Sequence, residues 1–250
     1  FVKGTEGKSI FDNPQFWLND GKDILYLKSG RDALKTALVE IGLTKNDSVL
    51  IVTTTGGKYI SSCVTKVIEG ICSWENKISG RTRAILIIHE FGFPCQIPEI
   101  VKRLNLPIIE DCAYATGTRM EGGNVGKIGD YAIYSISKYF PIPFGGILVT
   151  KKDKGSKPLE EELKITGEGK FFLMRHLKNC EDKYKKWNII RKRNWNYYFE
   201  NLFEYNITPF FQSNAKNVPG VCVMKFPDDL ISKGPKIKEK LNRVGIECTV

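Results

Sequence analysis

The sequence contains no apolar run approaching the roughly 20 residues that a bilayer-spanning helix needs, so no transmembrane segment is expected. Residues 1–6 show no basic region followed by an apolar one, and we therefore expect no signal peptide. No internal repeat is present along the chain. These absences exclude an integral membrane protein and favour a cytoplasmic one.

The sequence also lacks a C-x-x-C pair. Its seven cysteines are an odd number at wide, irregular spacings, which speaks against a disulfide framework and against a structural zinc site. Several of them lie in apolar runs, where a thiol behaves as a small core residue. We predict reduced cysteines and no metal site.

Positive charge is in excess, with a formal net charge of +10, and this favours anionic partners. Much of the excess lies within residues 178–193, where acidic residues interrupt the basic ones. Aromatic and aliphatic residues recur there, and on to residue 198, at roughly helical spacing. The pattern predicts the solvated face of a long amphipathic helix rather than a nucleic-acid site.

Between residues 29 and 151 the pattern alternates between helix and strand. Continuous apolar strands separated by helices predict an α/β fold with a mostly parallel sheet covered by helices on both faces. The predicted strands are 49–52, 84–88, 107–109, 131–135 and 146–150, and the predicted helices are 33–41, 59–68 and 98–104.

The composition shifts after residue 151. We expect a large domain over residues 1–155. Residues 156–250 are predicted to form a linker, a long helix and an incomplete, smaller C-terminal α/β domain. In that part, 221–224 is predicted to be a strand and 235–244 a helix.

Chemistry is expected at the carboxyl ends of the strands, where open parallel sheets bind their ligands. His89, Asp111, Ser135 and Lys138 all follow predicted strands. Ser29-Gly30 opens the first helix, whose free N–H groups suit a phosphate. A phosphate site, a carboxylate and a lysine amine together match the needs of pyridoxal 5′-phosphate (PLP).

The chemical reasons are specific. A carboxylate keeps the ring nitrogen of PLP protonated, so that the ring can accept electrons. A lysine amine forms a Schiff base with the aldehyde and is then released to move a proton. Each residue alone has a simpler explanation: Asp111 as a turn cap, Lys138 as a surface residue, Ser29 as a helix cap and His89 as a local hydrogen-bonding group. Only their combination predicts a PLP site.

At these residues the chain resembles the DegT/DnrJ/EryC1/StrS aminotransferases, which have the type I PLP-dependent transferase fold. The similar stretches occur in the order found in that family. They are 29–34, 88–92, 109–117, 125–126, 129–130, 134–138 and 145–146. An ordered series of this kind is far more specific than any single motif.

The resemblance implies a role for each matching residue. Asp111 would pair with the pyridine nitrogen, and Lys138 would carry the Schiff base. The remaining cofactor contacts would come from Gly30, Arg31, Asp32, Tyr59, Tyr114 and Ser135. The implied reaction moves an amino group, commonly from glutamate, to a keto group on a nucleotide-diphosphate sugar. It also implies a homodimer with its active sites at the subunit boundary.

The chain departs from the family pattern at three of these positions. Arg31 stands where a small hydroxyl residue is common, Tyr114 stands where a glutamine is common, and Lys138 follows Ser135 at a shortened spacing. Residues 69–82 are also too few for the strand and helix that relatives have there. A non-catalytic regulatory or binding relative therefore remains an alternative. A sugar dehydratase of the same fold is another, although Lys138 favours amino transfer because such dehydratases carry histidine there.

Two other motifs are weaker. Ser135 and Lys138 fit the S-x-x-K motif of penicillin-binding proteins, but Pro141 and Pro143 would break the helix which that motif opens, and its companion motifs are absent. The glycine-rich stretch 122–126 neither follows a strand directly nor opens a helix, so it is better interpreted as a turn than as a dinucleotide site.

Overall fold

A seven-stranded sheet forms the centre of the protein. The computed structural model describes residues 22–57, 60–121, 123–151 and 161–248. The strands of the sheet are β1 Lys22–Leu27, β2 Ser48–Thr53, β3 Ser73–Glu75, β4 Thr82–Ile88, β5 Ile108–Asp111, β8 Tyr131–Ser135 and β9 Gly146–Lys151. The strand order is β1-β9-β8-β5-β4-β2-β3, and β9 runs in the direction opposite to the other six strands. The predicted mostly parallel sheet is confirmed.

Four short strands lie outside this sheet. They form two small hairpin-like pairs, β6 Arg119–Met120 with β7 Gly123–Asn124, and β10 Thr208–Pro209 with β11 Met224–Lys225. The helices are α1 Gly30–Ile41, α2 Ser62–Glu69, α3 Glu99–Lys102, α4 Gly167–Leu202, α5 Asp228–Ile231 and α6 Gly234–Arg243.

Helices cover both faces of the sheet because successive side chains of a strand point to opposite sides. On β8, Tyr131 and Ile133 belong to the apolar cluster that buries α1, including Leu34. Ala132 lies on the other face, in the cluster that buries Leu177 of α4. The sheet is therefore the middle layer of three.

The long helix α4 has 36 residues. Its buried side chains recur every three or four residues along the N-terminal half, at Leu173, Met174, Leu177, Cys180 and Tyr184, while Trp195 is buried further along. Most of the basic side chains on it are exposed. The predicted amphipathic helix is confirmed. Within the described ranges, the helices include none long and apolar enough to cross a membrane.

Several predicted boundaries were wrong. The helix predicted from residue 59 begins at Ser62, after the cap Ser61. Of the strand predicted at 221–224, only Met224 is in a strand. β1 was not predicted, nor was the three-residue strand β3, which lies in the stretch judged too short to hold both a strand and a helix. No observation tests the domain boundary near residue 155, which stays a prediction.

Cysteine placement agrees in part with the expectation of core thiols. Four cysteines, Cys72, Cys95, Cys112 and Cys180, are buried, and none of the seven, all within the described ranges, forms a disulfide bond. Cys63 and Cys222 are exposed.

Candidate active site

The first turn of α1 meets the end of β8 at one edge of the sheet. Gly146, at the start of β9, pairs with Leu27 on one side and Ser135 on the other. A Cβ at Gly146 would lie 2.0 Å from the Ser29 carbonyl oxygen, and one at Gly30 would lie 3.0 Å from Ser135 Cβ. The two segments predicted to bind a phosphate therefore touch, and glycine is required for the approach.

Ser29 caps α1, as its simpler explanation predicted. Its Oγ accepts a hydrogen bond from Asp32 N at 3.3 Å and donates one to Asp32 Oδ2 at 2.7 Å. The Arg31 side chain is exposed beside this cap. The capping role does not exclude phosphate binding, since a helix N-terminus keeps further free N–H groups and the positive end of its dipole.

Asp111 ends β5, between the ends of β4 and β8. It pairs with Ile88 on one side and Ile133 on the other, and only 7% of its surface is exposed. The Ala113 N–H donates to its Oδ1 at 2.9 Å. Burial raises the pKa of this carboxyl, and the Ala113 hydrogen bond and nearby His89 oppose the rise only in part.

Lys138 lies in a 3₁₀ turn, Ile136–Lys138, directly after β8. Its Nζ donates a hydrogen bond to Tyr114 Oη at 2.7 Å and lies 4.6 Å from the centre of the Tyr114 ring. Tyr114 follows β5 by three residues and packs against Phe91, with ring centres 6.0 Å apart. Because β5 and β8 are adjacent and parallel, Asp111 and Lys138 lie at the same edge of the sheet.

His89 forms local hydrogen bonds in the buried interior. Its Nδ1 accepts from the Cys95 N–H at 3.0 Å, so the ring proton must be on Nε2, which lies 3.0 Å from Glu110 Oε2. The ligating atoms of His89, Glu110 and Cys112 lie within 4.8 Å of one another. Hydrogen bonds already engage the imidazole and the carboxylate, which explains this cluster without a metal.

Sequence reasoning missed Glu110. This fully buried carboxylate accepts hydrogen bonds from the backbone N–H groups of Gly126 at 2.9 Å, Ile128 at 2.7 Å and Gly129 at 2.6 Å. Burial alone would raise its pKa, but the bonds from His89 and the backbone outweigh it and hold the pKa below its ordinary value. In the described part of the glycine-rich stretch, Gly123 and Asn124 form strand β7, and residues 125–126 form a turn that leads into a loop around this carboxylate.

A segment from the C-terminal part of the chain, residues 217–220, crosses the candidate site; we call it the strap. The Tyr139 hydroxyl lies 3.1 Å from the Val218 carbonyl oxygen and 2.5 Å from that of Tyr114. The Gly220 N–H donates to the Phe91 carbonyl oxygen at 2.9 Å. The strap thus binds the Phe91 backbone, and the Tyr139 hydroxyl binds the Tyr114 backbone. No local sequence pattern indicated either contact.

The predicted site residues are thus brought together in two groups at one edge of the sheet. Gly30, Arg31 and Asp32 lie with Ser135, and Asp111 is connected to Lys138 through the Tyr114 loop. Tyr59, expected as a further cofactor contact, lies outside the described residues.

Comparison with known proteins supports the resemblance to this aminotransferase family. Residues 71–171 match the model of the DegT/DnrJ/EryC1/StrS aminotransferase family. GDP-perosamine synthase of Escherichia coli O157:H7 is 34% identical over 142 residues, which are 50% of this chain and 39% of that protein. UDP-N-acetyl-3-dehydro-alpha-D-glucosamine 3-aminotransferase of Acidithiobacillus ferrooxidans is 31% identical over 160 residues, 56% of this chain and 42% of that protein.

Solved structures show the same fold. DesV of S. venezuelae, in complex with a ketimine intermediate, superposes with a TM-score of 0.70 at 21% identity, over 94% of this chain and 71% of that one. 3-Amino-5-hydroxybenzoic acid synthase gives a TM-score of 0.73 at 16% identity, over 93% and 71%. The predicted fold and the resemblance to the family are confirmed, although the matched stretches span less than half the length of the two sequence relatives.

Proposed function

Starting from this family resemblance, we propose that the protein is a PLP-dependent aminotransferase that acts on a nucleotide-linked keto-sugar. The observation that carries the proposal is the placement of Asp111 and Lys138 at the carboxyl ends of two adjacent parallel strands. That edge is where ligands bind in open α/β sheets.

The residues present fit the cofactor. A Cβ at Gly30 would come within 3.0 Å of Ser135. Because glycine has no side chain, the N-terminus of α1 and the Ser135 hydroxyl lie close enough to bind one phosphate group. Among the described residues, the Ala113 N–H is the one hydrogen-bond donor to the buried Asp111 carboxylate. A protonated ring nitrogen would supply the counter-charge that this carboxylate lacks.

PLP supplies an electron sink that allows an amino group to be exchanged between an amino acid and a carbonyl carbon. Asp111 would hold the proton on the ring nitrogen. Lys138 would hold the cofactor through Nζ and would move a proton as base and acid. Tyr114 orients that amine through its hydroxyl, and the Tyr139 hydroxyl holds the Tyr114 carbonyl oxygen in place.

The substrate class follows from the relatives. Their names specify GDP-perosamine synthesis and amino transfer to a UDP-linked sugar. The family-model match, residues 71–171, includes Asp111 and Lys138. We extend the nucleotide-linked sugar to this protein, with glutamate as the expected amino donor and a cytoplasmic homodimer as the expected assembly.

Cofactor absorbance tests the proposal directly. The purified protein should be yellow with PLP, and Lys138→Ala should lose the absorbance of the lysine-bound cofactor. Lys178→Ala, which changes an exposed lysine on α4, is the matched control and should keep it. A colourless wild-type protein after incubation with PLP would favour the non-catalytic alternative.

An assay with glutamate and a panel of nucleotide-linked keto-sugars then tests the reaction. Formation of 2-oxoglutarate that depends on both the keto-sugar and Lys138 supports amino transfer. Loss of a sugar hydroxyl without consumption of glutamate would indicate the dehydratase instead.

A further inference from the structure

A cleft of about 700 Å³ opens at the β6–β7 pair. This volume lies within the range of roughly 300–1,000 Å³ that is typical of small-molecule sites. None of its lining residues belongs to the candidate active site. They are Arg119, Met120, Glu121, Gly123, Lys127 and Lys216.

Positive charge predominates in this cleft. Three of the lining residues, Arg119, Lys127 and Lys216, carry a positive charge, and one, Glu121, carries a negative charge. The three cations come from three separate segments: strand β6, the loop after β7, and the turn that precedes the strap. Their convergence is therefore a product of the fold and not of a charged run in the sequence.

The backbone around Lys216 is held on both sides. Its N–H donates to Asn214 Oδ1 at 2.8 Å, and its carbonyl oxygen accepts from the Arg119 N–H at 2.9 Å. Two residues later, the Val218 N–H donates to the fully buried Thr118 Oγ1 at 3.0 Å. The segments that carry Arg119 and Lys216 are thus joined by hydrogen bonds, which fixes the spacing of the two backbones from which these side chains extend.

Gly123 determines where the third cation lies. A Cβ on this residue would come within 3.3 Å of both Cδ and Nζ of Lys127, so the lysine side chain lies across the glycine. Gly123 also has a φ of +132°, a conformation that side-chain-bearing residues rarely adopt. The lysine is therefore packed over the hairpin.

From this arrangement we propose that the cleft binds a small molecule carrying two linked phosphates, such as a nucleoside diphosphate. Arginine offers a planar fork of donors to phosphate oxygens and each lysine adds a point charge, whereas Met120 offers an apolar surface for the remainder of the ligand. The proposal does not depend on the proposed aminotransferase activity.

The first test measures binding of inorganic pyrophosphate and of GDP by isothermal titration calorimetry, on protein saturated with PLP. Both probes should bind saturably with one site per chain, and Arg119→Gln combined with Lys216→Gln should weaken binding by at least about tenfold. Lys178→Gln combined with Lys185→Gln removes two exposed charges from α4 and should leave the affinity unchanged. Equal weakening in both double variants would show non-specific attraction and overturn the proposal.

A variant that binds the probes more tightly distinguishes a direct effect on the cleft from a general loss of structure. Glu121→Gln removes the one acidic side chain that lines the cleft and should tighten both probes by several-fold, a result that a destabilised protein would not give. Ser135→Ala should not change either affinity. If it abolished binding, the anion would lie at the edge where Gly30 and Ser135 meet, and the cleft would have no role.

Competition identifies the source of the phosphates. If GDP competes with a nucleotide-linked sugar, and Arg119→Gln raises KM more than it lowers kcat, the cleft holds the nucleotide part of the substrate. If GDP binds without competition, the ligand is a separate phosphorylated effector. Absence of saturable binding by either probe would reject the site, whether or not the protein transfers amino groups.

Discussion

Lys138 Nζ lies 2.7 Å from Tyr114 Oη, and this contact joins the loop after β5 to the turn after β8. The phenol occupies a position where relatives commonly carry a glutamine, so the chain keeps a hydrogen-bonding group there but changes its shape. The Tyr139 hydroxyl, which follows the same turn, binds this loop a second time at the Tyr114 carbonyl oxygen.

Removal of the Tyr114 hydroxyl should separate attachment of the cofactor from turnover. Tyr114→Phe should still form a yellow complex, because Lys138 remains, but amino transfer should slow by about tenfold or more because the amine is no longer oriented. Absorbance and stopped-flow half-reactions with glutamate measure the two effects. Tyr114→Gln is the matched control and should recover part of the rate; an unchanged rate in Tyr114→Phe would remove the positioning role.

Asp111→Asn should maintain or raise the stability of the protein without PLP and should lower its affinity for PLP. Burial raises the pKa of Asp111, so above the ordinary value of 3.8 the unfolded chain releases this proton more readily than the folded protein, and stability falls as the pH rises through that range. The asparagine variant should lack this loss and be at least as stable at neutral pH without PLP.

With PLP the same variant should bind at least about tenfold more weakly, because the ring nitrogen loses its counter-charge, and transamination should fall by orders of magnitude. Thermal denaturation with and without PLP tests both signs. If Asp111→Asn lowered cofactor-free stability and left PLP affinity intact, the carboxylate would be a structural cap and not a cofactor ligand.

Glu110→Gln should destabilise the protein by about 3 kcal/mol, because its amide would place N–H donors against the loop N–H groups that now bind a carboxylate. The lowered pKa of Glu110 means that its contribution is present above the ordinary value of 4.5 and is lost as the pH falls through its folded pKa. Urea denaturation between pH 3 and pH 7 should show this acid-dependent loss in the wild type and not in the variant.

Glu239→Gln is the control for that experiment. Glu239 forms an exposed ion pair with Arg243 on α6, and surface pairs of this kind contribute little. Equal stability losses in the two variants would mean that burial of Glu110 has no special energetic role.

Gly146→Ala should cost about 3 kcal/mol or prevent folding, because the added Cβ would lie 2.0 Å from a backbone oxygen that cannot move aside. Gly167→Ala, at the start of α4, meets no atom within 4 Å and should be neutral or slightly stabilising. Circular dichroism melts of both variants compare the effects. Similar melting temperatures would show that Ser29 is not held against the sheet as described.

Local sequence patterns predicted the interior of the sheet well and its periphery poorly. β8 was predicted with its observed bounds because its apolar run begins directly after Gly129-Asp130 and ends at Ser135. β1 was missed because it is an edge strand that begins with Lys22 and Asp23, and an edge strand need not be apolar throughout. The short β11 depends on its pairing with β10, which no local pattern encodes.

The same division holds within the candidate site. Asp111 and Lys138 could be placed at strand ends because strand ends are visible in the sequence. The strap could not be placed, since the contact between Thr118 and Val218 joins residues 100 positions apart. The buried role of Glu110 was equally hidden, because it depends on backbone N–H groups of residues 126–129, which only the folded loop brings to this carboxylate.

The alternation of side chains along β5 makes Glu110 and Asp111 non-interchangeable. Swapping their identities would preserve composition, net charge and the apolar pattern of β5, yet it would put a shorter arm where three amide groups and an imidazole converge, and a longer one at the edge of the sheet. The difference of one methylene group between the two side chains would then be enough to lose the hydrogen bonds that hold this loop. Homologues that keep the order glutamate–aspartate at this strand end should therefore have both the buried glutamate that binds the loop and the aspartate at the edge of the sheet. Homologues that reverse the order should have a different loop.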